Sequence, residues 1–253
     1  MGTLFVVATP IGNLSDISKR ALEILSSADL IACEDTRQTI KLLNHFGFQK
    51  PLISYHEFNE ETKAEELARK LDGDTSIALV SDAGMPAISD PGYRLVRLCR
   101  LRGINVVPIP GASAAITALA ASGIPSDEFM FIGFLPPKKN ARCQKLTSIA
   151  NIACTLVFYE APHRIEAALE DLQDVLGDRE ACVGREITKL HEEFLFGPIS
   201  ELRGKVKPLG EFVIVVSGAT ETRAEALLTR EAVLQKLGMT RNELYDLFFK
   251  KRD

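Results

Sequence analysis

The chain alternates short apolar runs with stretches of helical spacing from its first residues onward. Residues 4–8 read as a buried strand, and residues 15–28 follow as a helix with Ile17, Ala21, Leu22, Ile24 and Leu25 at helical spacing. The pattern then repeats: strand 30–33, helix 36–47 closed by Gly47, surface helix 60–72, strand 76–80, a helix starting at Asp90-Pro91 and running to Gly103, strand 105–108, helix 111–123 and strand 129–134. Strands that alternate with helices argue for a parallel sheet, because parallel neighbours need a long crossover connection of this kind. An α/β fold is the consequence. Beyond Phe134 the segment Leu135-Pro136-Pro137-Lys138-Lys139-Asn140 is stiff and polar, and a domain boundary is expected there. Helix 141–152, strand 155–159, helix 161–176 and strand 182–186 follow, then a further β pair at 192–196 and 211–217 that reads as mixed or antiparallel. The expected division is 1–134, 135–220 and a short helical tail, 221–253, with a helix-turn-helix-like unit over 230–250.

Composition narrows the class. Of the 253 residues, 46% are hydrophobic and 25% charged, which favours a packed protein over a disordered one. No run of about 18 apolar residues exists and the N-terminus lacks a positively charged start, so neither membrane span nor signal peptide is expected. Cys33, Cys99, Cys143, Cys154 and Cys182 are scattered, and the four histidines have no metal-ligand spacing. A reducing, cytoplasmic setting without a bound metal is the expectation. The net charge of −4 speaks against a dedicated binder of naked nucleic acid. Local basic groups do exist: Lys138, Lys139, Arg142 and Lys145, and Lys250, Lys251 and Arg252 in the tail.

In open α/β sheets ligands bind beyond the carboxyl ends of the strands. Four loops hold that position. The first, residues 8–14, is not a dinucleotide fingerprint and is either a tight turn or a ligand wall. The second, residues 81–92, exceeds the roughly 2–6 residues usual for such loops. In it Asp82 is a candidate acceptor for a ribose or an ammonium, and Asp90 reads as the N-cap of the next helix. The third, Pro108-Ile109-Pro110-Gly111-Ala112-Ser113-Ala114, puts small residues at a helix start, for backbone donation to a ligand or for close packing. The fourth, Tyr159-Glu160-Ala161-Pro162-His163-Arg164, gathers polar and aromatic groups at a strand end. Glu34-Asp35-Thr36-Arg37 and Arg185-Glu186-Ile187-Thr188-Lys189 add mixed charge suited to an anionic, polar substrate.

Together these loops, with Ser54-Tyr55-His56-Glu57, resemble the tetrapyrrole methylase superfamily, and within it the ribosomal small subunit methyltransferase I family. The resemblance spans roughly residues 4–218. It implies two α/β domains with S-adenosylmethionine in the cleft between them. It also implies methylation of the ribose 2′-oxygen of a cytidine in the decoding region of 16S ribosomal RNA, within the small ribosomal subunit, by a homodimer. Carried onto this chain, it assigns the cofactor to Ile11, Asp82, Ser113, Ala114, Tyr159, Glu160 and Ala161. Tetrapyrrole-modifying members carry glycine-rich G-x-G-P-G-D and G-G-D-P loops. Here the corresponding stretches read Ala8-Thr9-Pro10-Ile11-Gly12-Asn13 and Ser81-Asp82-Ala83-Gly84, a departure that agrees with the RNA subgroup.

Methyl transfer from a sulfonium is an in-line displacement in which alignment does most of the work. A ribose hydroxyl gains from a proton acceptor, and Glu160, Glu186, Glu34 and His163 are the candidates. Lys189, Arg37, Arg164 and Arg185 are candidate phosphate clamps. Truncating Glu160 or Arg37 is expected to cut methylation and leave the fold intact. Two other readings stay open: a same-fold methyltransferase acting on a tetrapyrrole or other small molecule, and a non-catalytic RNA-binding or assembly module that uses the tail.

Overall fold

The computed structural model describes residues 2–220 and Thr240. The expected helical tail and its Lys250, Lys251 and Arg252 lie outside the described residues. Contacts divide the chain into two compact units. The first holds the chain up to Ala121 with Gly184–Phe194 and Gly210–Val213, and the second holds Ser122–Val183, Leu195–Leu209 and the described residues from Ile214 onward. The Leu135-to-Asn140 connector therefore falls within the second unit.

The first unit is built on five parallel strands, β1 (Thr3–Val7), β2 (Leu30–Cys33), β3 (Leu52–Ser54), β4 (Ile77–Val80) and β5 (Asn105–Ile109), in the order β3-β2-β4-β1-β5. Side chains alternate across a strand, and the core divides accordingly. Leu4, Val6, Ala32, Ile77, Leu79 and Val106 pack on one face with α3 (Glu60–Asp72) and α4 (Tyr93–Leu101). Val7, Ile31, Cys33, Ala78, Val80 and Ile109 pack on the other with α1 (Lys19–Ser27) and α2 (Thr36–His45). The split follows from handedness. Steps from β1 to β2 and β2 to β3 move one way along the sheet, and steps from β3 to β4 and β4 to β5 move the other, so right-handed crossovers place their helices on opposite faces. The adjacent strands β1 and β4 thus send their chains to opposite sides, which opens a crevice at their carboxyl ends. The helix α5 (Ala114–Ala121) follows β5.

The second sheet holds β6 (Phe129–Phe134), β7 (Thr155–Glu160), β8 (Glu180–Arg185), β9 (Glu193–Pro198) and β10 (Phe212–Val216), ordered β6-β7-β10-β8-β9. The strands β6 and β7 are parallel, joined through α6 (Lys139–Ile149). The amide of Glu186 donates to the Glu211 carbonyl and that of Ser217 to the Glu180 carbonyl, so β8 and β10 are antiparallel and the sheet is mixed. The two strands expected as a late pair, β9 and β10, do not pair with each other, because β8 lies between them. The helix α7 (Ile165–Leu176) buries Ile165, Ala168, Leu169 and Leu172, and a short helix, α8 (Ile199–Leu202), precedes β10. Arg142, expected as a surface cation, is 4% exposed and its Nε donates to the buried Asp171 at 2.6 Å, so it braces α6 on α7.

Two helix starts differ from the sequence reading. The stretch expected as one helix over 15–28 begins as a 3-10 turn (Leu14–Asp16), and α1 starts only after Ser18, whose hydroxyl accepts from the Ala21 amide. Asp90 does not cap α4. Gly92, at φ 146°, is the N-cap residue, and Glu60 of α3 accepts from the Gly92 and Arg94 amides at 3.0 and 3.2 Å. Among the described residues no helix is long and apolar enough to cross a membrane.

Candidate functional site

The crevice at the ends of β1 and β4 begins with two loops that fasten to each other. Thr9 and Gly84 exchange backbone hydrogen bonds of 2.9 and 3.1 Å, and the Thr9 hydroxyl donates to the Ser81 carbonyl. A Cβ on Gly84 would meet Ile11 at 3.3 Å and the Ala112 carbonyl at 3.7 Å, and one on Gly111 would meet the Ala8 methyl at 2.8 Å. The first three loops are therefore in contact, which glycine makes possible. The space they leave measures about 450 Å³ and is lined by Thr9, Pro10, Ile11 and Gly12, by Gln38, Thr39 and Lys41 of α2, by Ser81, Asp82 and Ala83, and by Lys189 and Glu211. That volume lies in the range of small-molecule and cofactor sites.

The second loop is held in an unusual shape. Ala87 (φ 67°) and Ser89 (φ 62°) adopt the left-handed region, which costs an L-residue roughly 1–2 kcal/mol. A hydrogen bond from the Ala87 amide to the Pro91 carbonyl helps fix it. Strain of this kind persists where the surroundings over-determine it, often at a ligand site.

Charge at the crevice is ordered. Asp82 accepts from the Asp35 amide at 3.1 Å, and partial desolvation raises its pKa. Glu34 is raised as well, first by desolvation and then by Asp82, Asp90, Asp35 and Glu57. Desolvation pushes Asp90 up to about 6, against a hydrogen bond from Ser81. The sequence marks Asp90 as a cap. No local signal marked it otherwise, because its environment comes from Ser81 and Asp82 across the folded loop. Opposite stands Lys189, whose Nζ bridges Glu186 at 2.9 Å and Glu211 at 2.8 Å. Burial works against that ammonium, but its two carboxylate partners outweigh burial and hold it as a cation. The same bond holds Glu186 below its ordinary range. Gly12 lies beneath this latch: a Cβ there would fall 2.8 Å from the Thr188 hydroxyl and would overlap the Lys189 Cγ.

The structure brings Ile11, Asp82 and Lys189 into one crevice. Arg37 is 85% exposed and forms a two-pronged pair with Asp35, whose pKa falls to about 2. Ser113 and Ala114 open α5 beside the third loop, and the Ser113 carbonyl accepts from Thr117. Glu160, Tyr159, Ala161 and His163 lie in the second unit. Glu160 is buried, and its Oε1 accepts from Arg164 at 2.7 Å and from the Ala161 amide at 2.8 Å, while its Oε2 has no partner among the described residues. Tyr159 packs edge-on against Phe131 and Phe134, and His163 is exposed on a 3-10 turn. Gln38, Thr39, Lys41 and Glu211 line the crevice and were missed by sequence reasoning. The first three lie on a helix side with no distinctive spacing, and Glu211 is far away in sequence. Among the described residues no cluster of three or more His, Cys, Asp or Glu side chains is placed to hold a metal.

Solved structures share this fold. The solved diphthine synthase superposes with a TM-score of 0.67 at 17% identity, covering 87% of this chain and 91% of that one. The methyltransferase CobJ gives 0.65 at 18%, covering 87% and 95%. The model of the tetrapyrrole (corrin/porphyrin) methylases matches residues 3–203, and the chain belongs to this family. Within it, the similarity is to ribosomal RNA small subunit methyltransferase I. The protein of that name from Halalkalibacterium halodurans is 52% identical over 225 residues, covering 87% of this chain and 77% of its own. That from Escherichia coli O157:H7 is 48% identical, covering 96% and 93%.

The methyl donor of this family is S-adenosylmethionine. The crevice fits its chemistry. Asp82 offers a carboxylate to a ribose diol or an ammonium, Ile11 an apolar wall, and the glycine-containing loops close backbone approach.

Proposed function

We propose that this chain methylates the ribose 2′-oxygen of a cytidine in the decoding region of 16S ribosomal RNA, acting in the cytoplasm as a homodimer on the small ribosomal subunit. One observation carries the reading: a crevice of cofactor size at the β1–β4 switch point, with Asp82 on one wall and the Lys189 latch on another. Relatives named for ribosomal RNA methylation across most of both chains support the substrate class, and the first two loops depart from the glycine-rich form of the porphyrinoid enzymes.

In this reading Ile11, Asp82, Ser113 and Ala114 of the first unit hold the cofactor. The bound donor supplies an electrophilic methyl on a positively charged sulfur. The chain's own groups align the hydroxyl and receive its proton. Lys189, held cationic, and the exposed Arg37 are suited to phosphate oxygens rather than to proton abstraction. Glu186, locked below its ordinary range by Lys189, is a poor base. Burial, and then the neighbouring Asp82, raises the proton affinity of Glu34 and Asp90, and Asp90 at about 6 is nearest to working pH; neither lines the crevice itself, so they are acceptors within electrostatic reach of Asp82, which does. When bound, the donor would supply the methyl to the ribose oxygen and leave as a neutral thioether, and a carboxylate of the chain would hold the proton that the hydroxyl gives up.

Labelled S-adenosylmethionine offered with 30S subunits, and separately with a precorrin, tests the reading. Label in the RNA supports it. Label in the precorrin alone overturns it in favour of a small-molecule enzyme, and the absence of calorimetric heat with the cofactor would turn it toward a binding module.

A further inference from the structure

The second unit carries an aromatic surface that the crevice does not explain. Phe129, Phe131 and Phe134 of β6 are in register with Thr155, Val157 and Tyr159 of β7, so these side chains share one face of the sheet. The Tyr159 ring meets Phe131 at 5.0 Å and 72° and Phe134 at 5.6 Å and 61°, and these edge-on contacts hold the rings. Phe134 remains 55% exposed. Water-exposed phenyl rings on a sheet face cost free energy unless something covers them, and unpaired bases are one partner whose flat faces stack on such rings.

Charge indicates what covers it. Between the end of each strand and the α-helix that follows it, the exposed side chains Lys138 and His163 are basic in type, while Lys139, at the start of α6, pairs with the buried Asp171 at 3.4 Å. The acid that ends β7, Glu160, is buried against Arg164. Phe58 makes the contrast: it is 95% exposed but stands among Glu57, Glu60 and Glu61, which would repel phosphate.

We propose that Phe134, braced by Tyr159 and Phe131 and flanked by Lys138, stacks on an unpaired base of the RNA substrate. The proposal rests on the reading of the chain as an RNA methyltransferase and names the surface through which that RNA is held. Phe134 acts as a binding group and touches no reacting atom.

The test uses the full chain. Binding of a fluorescein-labelled single-stranded oligoribonucleotide is measured by anisotropy, and binding of S-adenosylmethionine by calorimetry. Phe134→Ala and Phe134→Leu are expected to weaken RNA binding at least fivefold, the leucine showing that a flat ring rather than apolar bulk is required, while Phe134→Trp binds as well as wild type. Cofactor affinity should be unchanged in all three. Lys138→Gln should flatten the dependence of binding on salt. RNA affinity unchanged in both Phe134→Ala and Phe134→Leu overturns the proposal. So does a shift of both variants to a smaller species in sedimentation that accounts for the whole RNA defect, because the rings would then face a second copy of the chain. If wild type binds RNA through Phe134 but transfers no methyl to 16S RNA in small subunits, the methyltransferase reading fails and the platform stands.

Discussion

Replacing Asp90 by asparagine isolates the cost of holding a carboxylate in the second loop. In the folded chain the Asp90 pKa rises from 3.8 to about 6 because burial penalises the charged form. A group whose folded pKa is raised in this direction binds more protons when folded, so its ionisation removes stability as pH rises from about 4 to about 6, and the loss is constant above that. The shift of about two units corresponds to roughly 3 kcal/mol at most. Asp90 keeps partial contact with water, and screening reduces the expected cost to about 1–2 kcal/mol. Asparagine has the same shape, accepts the Ser81 hydroxyl and carries no charge. Asp90→Asn should therefore melt roughly 2–6 °C above wild type at pH 8, and the gap should shrink at pH 4.5. Differential scanning calorimetry at the two pH values is the assay. A gain equal at both pH values, or a loss at pH 8, would refute the assignment of a destabilising buried charge. Methyl transfer should fall in the same variant if Asp90 receives the proton, the usual exchange of stability against activity.

Lys189→Met leaves Glu186 and Glu211 facing each other without their shared cation. Methylation should drop at least tenfold. The stability that Glu186 gains from Lys189, present above its unfolded pKa and lost as pH falls through its lowered one, should disappear from a pH titration of melting temperature. Gly12→Val pushes side-chain carbon into Lys189 and Thr188, so cofactor affinity measured by calorimetry should fall at least tenfold with only a modest change in melting temperature. Arg37→Ala should cut methylation with no change in stability, since that side chain is 85% exposed. Glu160→Ala behaves differently. It strands Arg164, 18% exposed, without its carboxylate, and about 2–4 kcal/mol of stability should be lost in chemical denaturation, contrary to the expectation that the fold stays intact.

Much of the fold was written in local pattern. The strands at 30–33 and 129–134 and the helix at 60–72 fall where periodicity puts them, because a buried strand and an amphipathic helix each need their apolar residues at fixed spacing. What escaped was set through space. The start of α4 depends on Glu60 reaching across from α3. The position of β4 between β2 and β1, and of β8 between β9 and β10, follows from how crossovers pack and leaves no mark in any short window. The strand β3 is three residues long, too short for periodicity to register. The same division runs through the site. Ile11 and Asp82 were legible because glycine- and proline-rich loops at strand ends announce themselves. The Lys189 bridge to Glu211, the proton affinity of Asp90 and the crevice walls on α2 arise from neighbours distant in the chain.

The central claim is methylation at one ribose of the small-subunit RNA. The most direct measurement incubates the purified chain with isotopically labelled S-adenosylmethionine and small ribosomal subunits lacking this modification, then maps digested 16S RNA by mass spectrometry. A single labelled methyl on the ribose of a decoding-region cytidine is the expected result. Label on a base, at a site outside that region, or nowhere in the RNA would contradict it.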